Sequence, residues 1–159
     1  MQIIYQAVFV GVVATIVMDL MAGVRRSLWG TPSLDYALLG RWIGHLPKGQ
    51  WIHRPIGESP TIPKERALGW AVHYLTGILF AAIFLSVFEA PTGPVAPVLF
   101  GIATVVAPFL LLQPGMGAGL AARRTAAPWT ARARSLLTHI TFGIGLWIGI
   151  GLWAGLGGA

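Results

Sequence analysis

The sequence predicts an all-α membrane protein, a four-span bundle of transmembrane helices, and two observations support this prediction. The first is composition, because 55% of the residues are hydrophobic, 10% are charged and the mean hydropathy is +0.72. A soluble domain of 159 residues does not need so much apolar surface. The second is charge placement, since all eleven Lys and Arg residues lie in two stretches, Arg25 to Arg66 and Arg123 to Arg134.

Four segments are long and apolar enough to cross a membrane. A hydrocarbon layer of ~30 Å requires roughly 20 helical residues, and the segments that reach this length are about 3–24, 67–88, 95–113 and 136–156. Each is predicted to be a helix, because an unpaired strand cannot satisfy its backbone hydrogen bonds in lipid. No linker is long enough to separate a second domain, so residues 1–159 are predicted to form a single membrane domain.

The distribution of basic residues predicts which side of the membrane each loop faces. Short loops rich in Lys and Arg remain cytoplasmic, and both basic stretches belong to loops on one side, 25–66 and 114–135. The remaining loop, Glu89 to Pro94, has no basic residue, so both termini are predicted to lie outside. The first span has no basic residue before its apolar run and is interpreted as a retained anchor rather than a signal peptide.

The net charge of +6 is interpreted as membrane sidedness. Basic loops contact anionic lipid headgroups, and the basic patches lack the aromatic and glycine-loop elements of nucleic-acid recognition. The lipid bilayer, and not a nucleic acid, is therefore the predicted partner. The absence of Cys excludes disulfides, thiolate nucleophiles and thiolate metal ligands.

The first loop is predicted to contain a short interfacial helix that lies on the inner leaflet. Thr31-Pro32-Ser33 offers an N-cap, and the helix is expected from Leu34 to Gly44. Its apolar face is predicted to carry Leu34, Leu38, Leu39 and Trp42. Four prolines between residues 47 and 63 predict an irregular continuation. The loop tryptophans are predicted to form an aromatic belt at the membrane surface: Trp29, Trp42 and Trp51.

The last span repeats a glycine-rich hexad that predicts close helix packing. Its spacing places Gly145 with Gly149, and Gly151 with Gly155, four residues apart on the helix. Small residues at this interval allow another helix to approach closely. Packing inside the monomer is the favoured interpretation, and a homo-oligomer interface is the alternative.

The third span is predicted to stop or bend at Gln113, because Pro114 follows and cannot continue the hydrogen-bond ladder. Three glycines then alternate up to Gly119. A phosphate-binding turn is the less favoured interpretation of this stretch, because Gly-x-Gly-x-Gly matches neither nucleotide fingerprint.

Each predicted span carries a polar side chain near the cytoplasmic face. These side chains are Asp19, His73, Gln113 and His139. The three ionisable members lie five to seven residues from the nearest basic residue of a loop, which corresponds to ~8 to 11 Å along a helix. A carboxylate within a span costs ~2.5 to 3.5 kcal/mol on insertion scales, so Asp19 needs a partner. The sequence therefore predicts a polar intramembrane layer.

This layer has four possible roles. A structural polar link between helices is one, and handling of a proton, a cation or a small polar solute is another. A divalent metal held by His73, His139 and Asp19, or a haem between the two histidines, would make the protein a membrane-embedded redox or metal protein. Tyr74 points about 100° away from His73 around the helix and is interpreted as a separate packing or interface group.

Further polar residues in the loops are candidates for a cytoplasmic extension of the layer. These are Arg41, His53, Glu65 and Arg123. His45 and His53 are nevertheless expected to be solvated or interfacial, as loop histidines usually are.

An ordered set of motifs resembles an uncharacterised family of small bacterial inner-membrane proteins, domain-of-unknown-function family 2938. The resemblance covers Gly11 to about Gly149, and it implies a four-span integral membrane protein with no assigned activity, cofactor or catalytic residue. The motifs are Met18-Asp19-Leu20, Gly40-Arg41-Trp42, the run from His53 to Ile56, Glu65, Gly69-Trp70, His73-Tyr74, the run from Gln113 to Gly119, Arg123-Arg124-Thr125, and His139 with Phe142-Gly143.

The leading hypothesis is an inner-membrane protein, not a conventional enzyme, whose polar layer opens toward the cytoplasm and handles a proton, a cation or a small polar solute. The first alternative is a haem- or metal-binding redox protein centred on His73 and His139. The second is an interaction module that docks a partner through loop 25–66, with Leu38 and Trp42 as contacts.

Overall fold

Four long helices dominate the computed structural model, which describes residues 2–88 and 93–157. Every regular element in these ranges is helical, and no strand occurs within them. The four helices are each long and apolar enough to span a membrane, as predicted: Gln2–Trp29, Glu65–Val87, Val95–Gly115 and Pro128–Gly155. They are called the first to fourth spans below. The predicted outer loop Glu89 to Pro94 falls mostly on residues 89–92, outside the described residues, and the side on which each terminus lies stays a prediction.

Two spans extend further into the basic loops than the charge pattern predicts. The first span continues past Arg25 to Trp29 and ends where Gly30 adopts a left-handed backbone, with φ +60°. The fourth span begins at Pro128, because proline at the first helical position gives up no helix hydrogen bond. Arginine is a good helix former, so basic residues mark the limit of the apolar segment and not the limit of the helix.

The chain forms two compact units, each assembled from several segments. The span unit comprises Met1–Ser33, Tyr74–Thr104 and Leu137–Ala159. The loop unit comprises Leu34–His73 and Val105–Leu136. The prediction of a single membrane domain over residues 1–159 stays a prediction.

The core of the span unit is apolar, and glycines bring its helices together. A Cβ added to Gly11 would lie 2.5 Å from Ile78 Cα, and one on Gly145 would lie 2.7 Å from Ala14 Cα. At these distances there is room for the hydrogen atoms of glycine but not for a side chain, so the helix backbones are in direct contact. The buried core residues are Val10, Ala14, Ala81, Phe84, Phe142, Leu146 and Ile150.

Neighbouring helices in the span unit are antiparallel. Gly11 lies against Ile78 and Thr15 against Gly77, so residue numbers rise along the first span as they fall along the second. The third and fourth spans show the same relation, because Gly143 lies against Pro97 and Gly101 lies against His139.

The glycines of the repeated hexads differ in their surroundings. A Cβ on Gly149 would lie 3.2 Å from Val10 Cα, so Gly145 and Gly149 both face the first span. Gly151 and Gly155 have no described atom within 4 Å of the position of a Cβ. The first pair thus serves packing inside the chain, and the homo-oligomer alternative for the second pair stays a prediction.

The loop helix runs from Tyr36 to His45 and begins later than predicted. Asp35 is the N-cap, and its carboxylate accepts a hydrogen bond of 2.9 Å from the Ala37 amide. Aspartate is among the strongest N-cap residues, and it directly precedes the first helical residue, Tyr36, unlike the expected Thr31 and Ser33. The cap was therefore predicted in the wrong place.

Trp42 is part of the loop unit core and not of an interfacial belt. Its side chain is 5% exposed and packs with Leu39 and Ile56, and its indole N–H donates to Trp51 O at 2.9 Å. Trp29 and Trp51, by contrast, are exposed. The loop helix buries one face inside its unit, so Trp42 is not available as the partner contact that the interaction-module hypothesis required.

The irregular part of the first loop is hydrogen-bonded to the end of the third span. His53 N donates to Gly115 O at 2.9 Å, and Ile56 N donates to Met116 O at 3.0 Å. Gly115 faces the Trp42 indole, and Gly117 adopts a φ of +96°, where an added Cβ would lie 2.7 Å from His53 O. The glycines of the Gln113 to Gly119 run are needed for this close approach.

The third span contains a π-helical turn that the sequence analysis missed. Regular α-helix runs over Val95–Thr104, and the π-helical turn covers Pro108–Leu112. Pro108 and Pro114 each lack the amide hydrogen that the ladder would use. The helix therefore widens locally between the two prolines, which lack amide donors. π-Helical turns are frequent at functional sites.

Candidate functional site

Asp19 of the first span is hydrogen-bonded to Tyr74 of the second span. The phenol hydroxyl and the carboxylate form a side-chain hydrogen bond, and both residues belong to the span unit. The helices meet closely beside this pair, because Gly77 faces Thr15. Tyr74 turns toward a different helix from His73, as its direction predicts, and its hydroxyl bonds to Asp19 rather than serving packing alone.

His139 of the fourth span is hydrogen-bonded to Thr104 of the third. The Thr104 hydroxyl donates its single proton to Gly101 O at 2.6 Å, so its oxygen must accept from His139 Nδ1, 2.8 Å away. The proton of a neutral His139 ring is therefore on Nδ1, and Nε2 carries the lone pair. This nitrogen is the position at which the ring gains a proton.

Arg25 ties the first span to the fourth through hydroxyl groups. Its guanidinium donates to Thr138 Oγ1 at 3.2 Å and to Thr141 Oγ1 at 3.5 Å. Thr141 in turn donates to Leu137 O within its own helix. A cationic side chain is thus held at the end of the first span by neutral acceptors of the span unit.

His73 lies in the loop unit, in an aromatic cluster at the start of the second span. The Tyr36 hydroxyl and His73 Nε2 are 2.9 Å apart, and the Tyr36 ring also packs on the His73 and Trp70 rings, with centroids 4.3 and 4.2 Å away. The loop helix supplies Tyr36, so the fold of the first loop places the hydroxyl on the histidine.

Gln113 lies in the loop unit directly after the π-helical turn. Its side-chain amide donates to Ser135 Oγ at 3.1 Å. Its Oε1 is buried, and no hydrogen-bond donor within the described part of the chain reaches it. A buried acceptor of this kind is uncommon in proteins, which marks the position as one where a polar ligand or water can bind.

The four residues of the predicted layer divide between the two units. Asp19 and His139 belong to the span unit, and His73 and Gln113 to the loop unit. The layer as one site stays a prediction. In the ranges 2–88 and 93–157, no three His, Cys, Asp or Glu side chains are grouped as a metal ion would require, so the metal-binding and haem-binding alternatives gain no support.

The predicted cytoplasmic extension contains one strong ion pair. Arg41 donates from Nε to Glu65 Oε2 at 2.9 Å and from Nη2 to Glu65 Oε1 at 2.8 Å. Its Nη1 also donates to Gly57 O and Ser59 O. The hydrogen bond to Glu65 raises the pKa of Arg41 above its ordinary value. Arg123 is an exposed residue of a separate turn.

The two loop histidines are buried, contrary to the expectation that they are solvated or interfacial. His45 is 3% exposed and His53 is 7% exposed. His45 bonds to Gln50 Oε1 at 2.6 Å and to Pro60 O at 3.0 Å, and His53 bonds to the Ser59 hydroxyl at 2.8 Å. Their rings meet edge to face, so they hold the irregular segment together.

A comparison with protein-family models identifies the family. The model described as "Protein of unknown function (DUF2938)" matches residues 8–152, which is nearly the whole chain. The chain belongs to the DUF2938 family. The curated proteins and the solved structures that were compared with this DUF2938 protein contain no match.

Membership in DUF2938 agrees with the resemblance found in the sequence, and it assigns no reaction. The hydroxyl partners Tyr36, Tyr74 and Thr104 all lie inside the matched range of this DUF2938 protein. The sequence analysis missed them because hydroxyl residues are common in helices and no spacing distinguishes those that bond to a titratable group.

Proposed function

We propose that this protein is a proton-handling protein of the bacterial inner membrane. The observation that carries the proposal is that three titratable side chains of the candidate spans each bond to a hydroxyl group. These pairs are Asp19 with Tyr74, His73 with Tyr36, and His139 with Thr104.

A hydroxyl partner suits proton transfer because it can both donate and accept. It is also uncharged, so it leaves a carboxylate or an imidazole free to change its own charge. Ionisable groups inside spans are costly, and proton relays are a common use of them. A cation or a small polar solute that moves with the proton is compatible with the same groups, and Gln113 Oε1 offers such a ligand a buried acceptor.

Asp19→Asn is expected to abolish proton movement and to leave the protein folded. The amide keeps the size of the carboxylate and its capacity to accept from Tyr74, but it cannot bind and release a proton. The measurement is proton flux into liposomes that contain the purified protein and a trapped pH-sensitive dye, under an imposed membrane potential. Tyr74→Phe is expected to slow the flux.

The matched control is Asp35→Asn, which makes the same chemical change outside the spans. Asparagine caps a helix about as well as aspartate, so flux and folding should be unchanged. Wild-type flux in folded Asp19→Asn protein, or no flux in the wild-type protein, would contradict the proposal.

We also propose that loops 25–66 and 114–135 face the cytoplasm and that both termini face outward. Nine of the eleven basic residues lie in the loop unit, together with three of the five acidic ones, and the positive-inside rule supports this orientation.

Single-cysteine labelling tests the orientation cleanly, because the chain has no native Cys. In intact cells, Ser33→Cys in the first loop should resist a membrane-impermeant maleimide, and Gln2→Cys near the N-terminus should react. Both positions should react in opened membranes, which is the control. The reverse pattern in intact cells would show the opposite orientation.

A further inference from the structure

A strained turn follows the third span. Gly117 and Gly119 have φ values of +96° and +75°, and the non-glycine residues Ala121 and Ala122 have φ values of +45° and +59°. Alanine rarely adopts a left-handed backbone, and such strain persists only where the surroundings enforce it. Arg132 contributes to this, because its Nε donates to Ala121 O at 2.8 Å.

The turn places two arginine side chains side by side. A Cβ added to Gly119 would lie 3.0 Å from Arg123 Cγ and 2.9 Å from Arg124 Cγ. Both arginine side chains therefore lie against the same glycine. The Arg124 amide donates to Ala118 O at 2.8 Å, and this hydrogen bond closes the turn that carries both arginines. Both arginines are exposed.

Neither arginine forms an ion pair with a carboxylate within the part of the chain that the structure describes. The loop unit has a formal charge of +6, equal to that of the whole chain, because the two basic and two acidic residues of the span unit cancel.

An aromatic side chain lies beside the pair in sequence. Trp129 is 78% exposed, and the Arg132 guanidinium lies 4.5 Å from its ring centroid. Exposed tryptophan with arginine is typical of the region where lipid headgroups meet water.

We propose that Arg123 and Arg124 form a binding site for a phosphate group. Two adjacent guanidinium forks match the oxygens of a phosphate, and the strained turn holds both side chains on one side of Gly119. The ligand is either the phosphodiester of an anionic lipid headgroup or a free phosphate. The proposal is independent of proton handling, because it uses none of the hydroxyl-bonded groups.

Binding to protein purified in an uncharged detergent tests the proposal. The probes are short-chain phosphatidylglycerol, diacylglycerol with the same acyl chains but no phosphate, and inorganic phosphate. Wild-type protein should bind phosphatidylglycerol or inorganic phosphate and not diacylglycerol. The Arg123→Gln/Arg124→Gln double variant should bind the phosphate probe at least about tenfold more weakly, since each charge-assisted bond contributes this much.

The matched control is Lys64→Gln/Arg66→Gln, which also removes two exposed charges from the loop unit. It should change the affinity by less than about twofold, because exposed charges that do not contact the ligand are screened by salt. Inorganic phosphate binding with the same sensitivity to the variants would identify a soluble ligand, and binding of phosphatidylglycerol alone would identify the headgroup. Equal weakening by the control, or no binding of either phosphate probe, would overturn the proposal.

Discussion

Gly69→Ala is expected to lower the free energy of unfolding by about 3 kcal/mol or more, the upper part of the range for overpacking. A Cβ on Gly69 would overlap Tyr36 O, and a Cβ on Gly40 would overlap Glu65 O. Each glycine thus meets the backbone of the other helix, which cannot move aside by a rotamer change. The loop helix would have to separate from the second span, and the Tyr36 to His73 bond would be lost with it.

Thermal unfolding of the detergent-purified protein measures this change. Gly23→Ala is the control, because no described atom lies within 4 Å of the position of a Cβ there. Alanine is a better helix former than glycine by about 1 kcal/mol, so the control should be neutral or slightly stabilised. Similar melting temperatures for the two variants would show that the glycine contact does not hold the loop helix.

Glu65→Gln is expected to lower the free energy of unfolding by about 3 kcal/mol, in the range for removing one partner of a buried ion pair. The side chains of Arg41 and Glu65 are only 10% and 17% exposed, and Arg41 remains charged in the variant because an arginine side chain keeps its proton at any physiological pH. The amide leaves this guanidinium without a neutralising carboxylate. Its remaining acceptors, Gly57 O and Ser59 O, are uncharged.

Glu58→Gln is the matched control, because Glu58 is exposed in the same unit. Its effect should lie within about 0.5 kcal/mol, as for most surface substitutions. The Arg41→Gln/Glu65→Gln double variant should lose less than the sum of its single variants, because the two side chains interact directly. Additive losses would contradict a specific pair.

The four helices could be predicted because their signal is large and local. A span needs about 20 apolar residues in succession, and the four helices each contain such a segment. The first loop was harder, because its helix turned a mixed polar and apolar face toward its own unit. Trp42 therefore belongs to the core of the loop unit, and Arg41 is buried where it bonds to Glu65.

The candidate site could be predicted only in part. Asp19, His73 and His139 were identifiable because titratable side chains are rare in apolar helices. Their partners depend on which helices touch, and a single sequence does not encode that in any spacing. Adjacent residues of one helix illustrate the difficulty: His73 bonds to Tyr36 of the loop unit, while Tyr74 bonds to Asp19 of the span unit.

The two prolines that flank the π-helical turn make the third span mechanically uneven. Pro108 and Pro114 remove two amide donors from a stretch of seven residues, so this stretch resists bending less than the regular helix over Val95–Thr104. The span consequently consists of a stiff rod followed by a compliant joint.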